Sequence, residues 1–152
     1  MANSSSWQLV LELLKQQPLG VLGTNHQGHP YASLVAFVTT EDAHSVFFAT
    51  TRATRKYHNL SKDEQIALLI DNRHNQSSGF YQTAAVTAYG RALEVDPAER
   101  AEVASLYLVK HPQLKSFVLS PSTALFRITV ESYHLVVRFQ HVTEFRMAAC
   151  PA

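Results

Sequence analysis

Three runs rich in β-branched and aromatic residues follow one another between positions 19 and 50 with nothing but turns between them, and this spacing limits the fold more than any other feature. Residues 19–24 form a short apolar run, Asn25-His26-Gln27-Gly28 supplies a turn, and 30–40 is a longer run, so the pair reads as a hairpin. A polar turn at 41–44 leads into 45–50. There Val46, Phe47, Phe48 and Ala49 leave no polar face, the pattern of a strand covered on both sides. Connections this short have no room for crossover helices, so the three strands are antiparallel neighbours.

The flanking segments add helices without changing that class. Ser5 and Gln8 have the spacing of a capping box, and Trp7, Val10, Leu11 and Leu14 then share one helical face until Pro18 stops the run. After Thr51 the period changes: 54–60 reads as a short helix and 65–71 as a fourth strand. A fifth, 83–95, carries Gly90 in its interior, which suggests a bulge or bend. Asp96-Pro97-Ala98-Glu99 has the form of a helix start, with Asp96 capping, Pro97 in the first turn and Glu99 closing the box. The helix should run to Lys110, where His111-Pro112 ends it. Phe126, Ile128 and Val130 then alternate with Arg127, Thr129 and Glu131, and 135–139 and 142–145 continue the sheet. The expected architecture is mainly β with inserted helices (α+β), a six- to seven-stranded antiparallel barrel, closed or nearly so. At 152 residues, with no internal repeat or linker, the chain should be a single domain over 1–152.

Charge and composition exclude several function classes. Lys and Arg total 13 against 12 for Asp and Glu, so the net charge of +1 gives no global reason to bind nucleic acid or an anionic membrane. The single cysteine, Cys150, excludes a disulfide framework and a cysteine-based zinc site. Residues 1–6 are polar and uncharged, and the apolar positions after them recur with gaps. Neither a secretory leader nor a spanning segment is expected, and the protein should be soluble and cytoplasmic. No Gly-x-Ser-x-Gly elbow and no Walker loop occur, and 5 glycines leave no Gly-rich dinucleotide fingerprint. His26-x-x-His29 could clip a metal, but no acidic or cysteine partner accompanies it, so no metal site is assigned. The remaining histidines are scattered; His58 is set apart by its place on the short helix.

The segment with most chemical content is Phe48-Ala49-Thr50-Thr51-Arg52-Ala53-Thr54-Arg55-Lys56, where a strand hands over to a helix. Three cations are interleaved with three threonine hydroxyls there. Free amides at a helix start, the positive end of its dipole, arginine's forked donors and a lysine ammonium all favour a phosphate. A solvated basic turn before a surface helix would have the same composition.

Taken in order, Gly28-His29-Pro30-Tyr31-Ala32-Ser33-Leu34-Val35, Val46-Phe47-Phe48-Ala49-Thr50-Thr51, Thr54-Arg55-Lys56 and Asn59-Leu60 resemble the flavin-binding split barrels related to pyridoxamine 5′-phosphate oxidase. The resemblance spans roughly residues 10 to 95. It implies that Arg55 and Lys56 grip the phosphate of FMN, with Thr50 nearby and Thr54 as a hydroxyl donor, in a cradle that also takes in Ala49 and Thr51. It implies further that Ser33, Leu34, Val35 and Ala36 lay their main chain along the isoalloxazine edge. The sequence departs from the true oxidases at Ser33 and Val38, where they carry Arg and Lys. It departs again at Ala84 and Ala85, where an Arg-Gln pair would align, though Gln82 stands close enough to substitute as a cofactor-binding residue. Their Arg-x-His substrate signature is absent around Arg127 and Arg138. Oxidation of a vitamin B6 phosphate is therefore not expected.

What the resemblance implies overall is a homodimer with FMN at the subunit interface, acting as a small oxidoreductase on a small-molecule substrate or NAD(P)H. No side-chain acid or base is assigned, since hydride transfer to a flavin requires none. Three rivals stand beside it: a flavin-binding sensor or carrier without turnover, a deazaflavin- or haem-binding relative, and a structural dimer with an empty groove.

Overall fold

The computed structural model describes residues 4–73 and 83–148. Seven strands and four α-helices follow the chain as α1 (Ser4–Gln16), β1 (Leu19–His26), β2 (His29–Thr39), β3 (Ser45–Thr51), α2 (Arg55–Lys62), β4 (Gln65–Asp71), β5 (Ala84–Glu94), α3 (Arg100–Lys110), α4 (Lys115–Leu119), β6 (Thr123–Val137) and β7 (His141–Arg146). The sheet order is β3-β2-β1-β4-β5-β6-β7, and β3 also pairs with β6, so six strands close into an antiparallel barrel and β7 extends it. Among the described residues no helix is long and apolar enough to cross a membrane.

The continuous apolar run in β3 has a structural cause. Val46 and Phe48 belong to the barrel interior with Leu22, Phe37, Ile70 and Leu135. Phe47 and Ala49 face the other way, into a second core with Val103, Tyr107 and Val118 of α3 and α4. Helix α1 closes one end of the barrel: Val10, Leu13 and Leu14 join the interior, and Trp7 packs edge-on against Tyr133 and tilted against Phe145. A helix of 13 residues is marginal alone, and burial of its apolar face, about 1.5–3 kcal/mol per large side chain, is what holds it.

Three elements differ from the sequence reading. Helix α3 begins at Arg100 rather than at Pro97, with Glu99 as its N-cap and no capping-box hydrogen bond. Asp96 to Glu99 close a backbone turn instead (Glu99 N–H to Asp96 C=O, 2.9 Å), and the Glu99 carboxylate goes to Arg127 at 2.8 Å. After His111-Pro112 the chain makes a 3-10 turn, Pro112–Leu114, and the short α4, neither signalled by periodicity. The alternation at 126–131 and the run from 135 are one strand, β6. It pairs with β3 up to Thr129 and with β7 from Ser132. Gly90 marks the bulge that permits the change: Tyr89 pairs with Ser132 and Gly90 with Val130, leaving Glu131 as the extra residue.

Candidate functional site

The barrel is split along one seam. β2 pairs with the whole of β1 through His29 to Ala36, but with β3 only through Phe37, Val38 and Thr39. Beyond that point β3 runs on through Ala49, Thr50 and Thr51 paired with β6 alone, so the opposing edge of β2 from Pro30 to Ala36 has no strand partner among the described residues. Backbone groups alternate sides along a strand. Phe37 N–H turns to Pro18 C=O on the β1 side, so Leu34 and Ala36 present theirs to the open edge and Ser33 and Val35 do not. The Ala36 carbonyl on that edge already accepts from Tyr107 Oη at 3.0 Å.

Helix α2 starts where β3 leaves the seam, and a small hydroxyl network fixes the start. Thr54 is the N-cap, in extended conformation, and its Oγ1 accepts from Tyr57 N–H at 3.2 Å. That hydroxyl donates to Thr51 C=O at 3.0 Å and accepts from the buried Thr50 Oγ1 at 2.8 Å. The threonines of the cradle thus serve mainly to shape it. Replacing Thr54 by Ala is expected to cost about 1 kcal/mol, read as a shift in the urea midpoint at unchanged slope, whereas Thr54→Ser keeps the cap and most of the stability. At the other end of the helix Asn59 Nδ2 donates to Thr24 Oγ1 of β1 at 3.1 Å, both residues buried, which holds α2 against the barrel.

This leaves the amides of Arg55 and Lys56 as the first-turn donors without a partner among the described residues, with two cations beside them. Neither cation has an ion-pair partner among the described residues. By contrast Arg52, Arg73, Arg91, Arg127 and Arg146 all meet carboxylates. Arg55 is exposed, its guanidinium 5.9 Å from the centre of the Tyr31 ring. Lys56 is half-buried, and burial pulls its ammonium below the ordinary lysine value. A half-buried cation without a counter-ion is desolvated at a cost that an incoming anion offsets.

The third cation of the motif is committed elsewhere. Arg52 is held bidentate by Glu94 at 2.8 and 2.9 Å and donates to Tyr57 Oη at 3.2 Å. That tie spans β3 and β5, a distance in sequence that composition does not reveal. Two of the buried polar atoms left unpaired among the described residues are Ser33 Oγ and His26 Nδ1, whose ring lies 5.3 Å from that of His58. Among the described residues no group of three His, Cys, Asp or Glu is placed to hold a metal. Gln82, like Tyr81, His74 and Cys150, lies outside the described residues.

The fit to a flavin mononucleotide can be judged on these atoms. A phosphate at the α2 start would meet two free amides and two unpaired cations. A flat ring along the seam would meet the Leu34 N–H. Ala49 is buried beneath α3 and Val35 in the barrel, so they shape the walls rather than offer side chains.

The overall fold has solved relatives. A haem-binding protein from Mycobacterium smegmatis superposes with a TM-score of 0.83 at 17% identity, over 96% of this chain and 60% of that one. HutZ, a haem storage protein from Vibrio cholerae, gives 0.72 at 18% identity over 86% and 93%. An FAD-binding protein from Mesorhizobium loti gives 0.66 at 14% identity over 82% and 88%. Identities this low establish the shared fold alone. No curated protein matches the sequence. The sequence pattern of pyridoxamine 5′-phosphate oxidase, however, matches residues 7–137, which takes in every barrel strand, the split seam and the Thr54-Arg55-Lys56 helix start. By that match the chain belongs to the pyridoxamine 5′-phosphate oxidase family.

Proposed function

We propose that this protein binds FMN and acts as a small flavin-dependent oxidoreductase, working as a homodimer with the flavin at the subunit interface. The observation that carries the reading is the pair Arg55 and Lys56: cations without counter-ions, at a helix start with free amides, beside an unpaired strand edge. FMN, when bound, supplies hydride and electron transfer at its ring. The protein's own residues anchor the phosphate, line the ring edge with the Leu34 amide and limit water at the seam. The substrate is a small molecule or NAD(P)H. A vitamin B6 phosphate is disfavoured, because Arg127 is tied to Glu99 at 2.8 Å and lies over the Phe47 ring, and Arg138 sits in the β6–β7 turn.

Three cavities of about 430, 680 and 280 Å³ have walls that include none of Thr50, Thr54, Arg55 and Lys56. In this reading a second copy of the chain walls the cradle. The outer face of β2, β1 and β4 supplies a contact: Val21 pairs with Leu34 on one side and Leu69 on the other, and those two leucines are 64% and 38% exposed. An apolar row across three strands favours burial against a like surface.

The test is the purified protein itself. It should carry flavin absorption bands and elute as a dimer by light scattering, and Leu34→Glu/Leu69→Glu should elute as a monomer that has lost the flavin. A deazaflavin band at shorter wavelength or a Soret peak in place of flavin bands would overturn the cofactor assignment. The haem alternative has one observation of its own, the orphaned His26 Nδ1 beside His58; a Soret peak abolished by His58→Ala would favour it. Reduced flavin that no added acceptor reoxidises would favour a carrier over an enzyme.

A further inference from the structure

A cavity whose lining includes none of Thr50, Thr54, Arg55 and Lys56 lies elsewhere on the molecule. It has a volume of about 680 Å³ and opens between α1, the end of β2 with its following turn, and α3. Leu11, Leu14, Val38 and Val109 make its walls largely aliphatic. Two cations stand in that wall, the exposed Lys15 and Lys110, and Lys110 is only partly exposed. Its Nζ donates to Leu14 C=O at 3.0 Å and sits 3.9 Å over the Phe37 ring. No carboxylate pairs with it among the described residues, so two of its three N–H donors are unanswered. Glu12 and Glu41, which also border the cavity, are exposed and lie at its rim in contact with water.

A second donor in the same wall is also without a partner. The Thr39 hydroxyl is buried and makes no hydrogen bond among the described residues. Burial pulls the Lys110 amine down to about 8, while the Phe37 ring and the Leu14 carbonyl favour its charged form, so the ammonium dominates at neutral pH. An aliphatic cavity of this size with an unpaired cation and an orphaned hydroxyl is the arrangement that recognises an amphipathic anion. The tail replaces water on the apolar wall and the head answers the stranded donors.

We infer that this cavity binds an apolar monocarboxylate, with its carboxylate on Lys110 Nζ, its second polar contact the Thr39 hydroxyl, and its tail against Leu11, Leu14, Val38 and Val109. The site is separate from the FMN cradle and does not depend on that reading.

Calorimetric titration of the full chain with octanoate and, separately, with 1-octanol tests it. The two probes share a tail and differ in the head group. Octanoate should bind at least about ten-fold more tightly than octanol, and Lys110→Met, which keeps the length and the apolar stem, should bring the ratio close to one. Arg55→Ala/Lys56→Ala should leave octanoate binding unchanged. The inference is overturned if wild-type protein binds octanol as well as octanoate, or binds neither. It is overturned equally if octanoate binding is lost in the Arg55/Lys56 variant, which would place the anion at the cradle. The wild-type comparison needs no substitution, so a poorly folded Lys110→Met does not remove the test.

Discussion

Replacing Arg55 and Lys56 together by alanine is expected to weaken FMN binding by about two to four orders of magnitude while leaving the apoprotein as stable as before. Each cation supplies a charge-assisted contact to phosphate of about 1.5–3 kcal/mol, and 1.4 kcal/mol is a factor of ten in affinity. The stability half of the expectation has an equally definite origin. Neither side chain has an ion-pair partner among the described residues to lose, Lys56 gives up a desolvation cost, and alanine is at least as good a helix former. Fluorescence titration of FMN and a thermal melt of the apoprotein together check it. An unchanged FMN dissociation constant would remove the phosphate assignment, and a collapsed melt would make the pair structural. Arg52→Ala is the control from the same motif. It breaks a part-exposed pair to Glu94, so the expected loss of stability is small, about 1 kcal/mol or less, and FMN affinity should barely move.

That contrast between Arg52 and its neighbours shows where sequence reading reaches its limit. The strands β1 to β5, the short α2 and the end of α3 at His111-Pro112 are legible because their signals are local: alternation, turn residues, a proline. Arg55 and Lys56 are legible for the same reason. Arg52 reads as one of three equivalent cations in the segment because nothing within a few residues reveals Glu94, 42 positions on, as its partner. Register is likewise non-local. Four consecutive residues, Ser33 to Ala36, look equivalent as ring-edge donors, yet pairing with β1 turns the main chain of Ser33 and Val35 inward and only Leu34 and Ala36 outward. The same limit hides the continuity of β6, whose change of partner from β3 to β7 at Thr129–Ser132 interrupts its alternation and imitates a loop.

Gly90→Ala is expected to be the most destabilising single change in the barrel, about 3–5 kcal/mol, or a fall of ~6–20 °C in melting temperature for a chain of this size. A Cβ built on Gly90 would lie 2.1 Å from the Thr129 carbonyl oxygen and 3.1 Å from the Val130 Cα, both backbone atoms of the paired strand. No rotamer relieves such a contact, so β5 and β6 would have to separate at the bulge that lets β6 exchange β3 for β7. Gly20→Ala gives the comparison. Its added Cβ meets the Leu68 Cδ1, the end of a side chain, at 2.9 Å and the Leu69 carbonyl oxygen only at 3.2 Å, so the backbone has far less to give and the expected cost is about 1–2 kcal/mol. Equal melting temperatures for the two variants would mean that the bulge yields as readily as a leucine, and the seam between β2 and β3 would lose its rigid opposite wall. A much larger loss at Gly90 would locate the barrel's stiffness in the β5–β6 ladder, leaving the split edge of β2 free to accept a ring without the strands around it having to move.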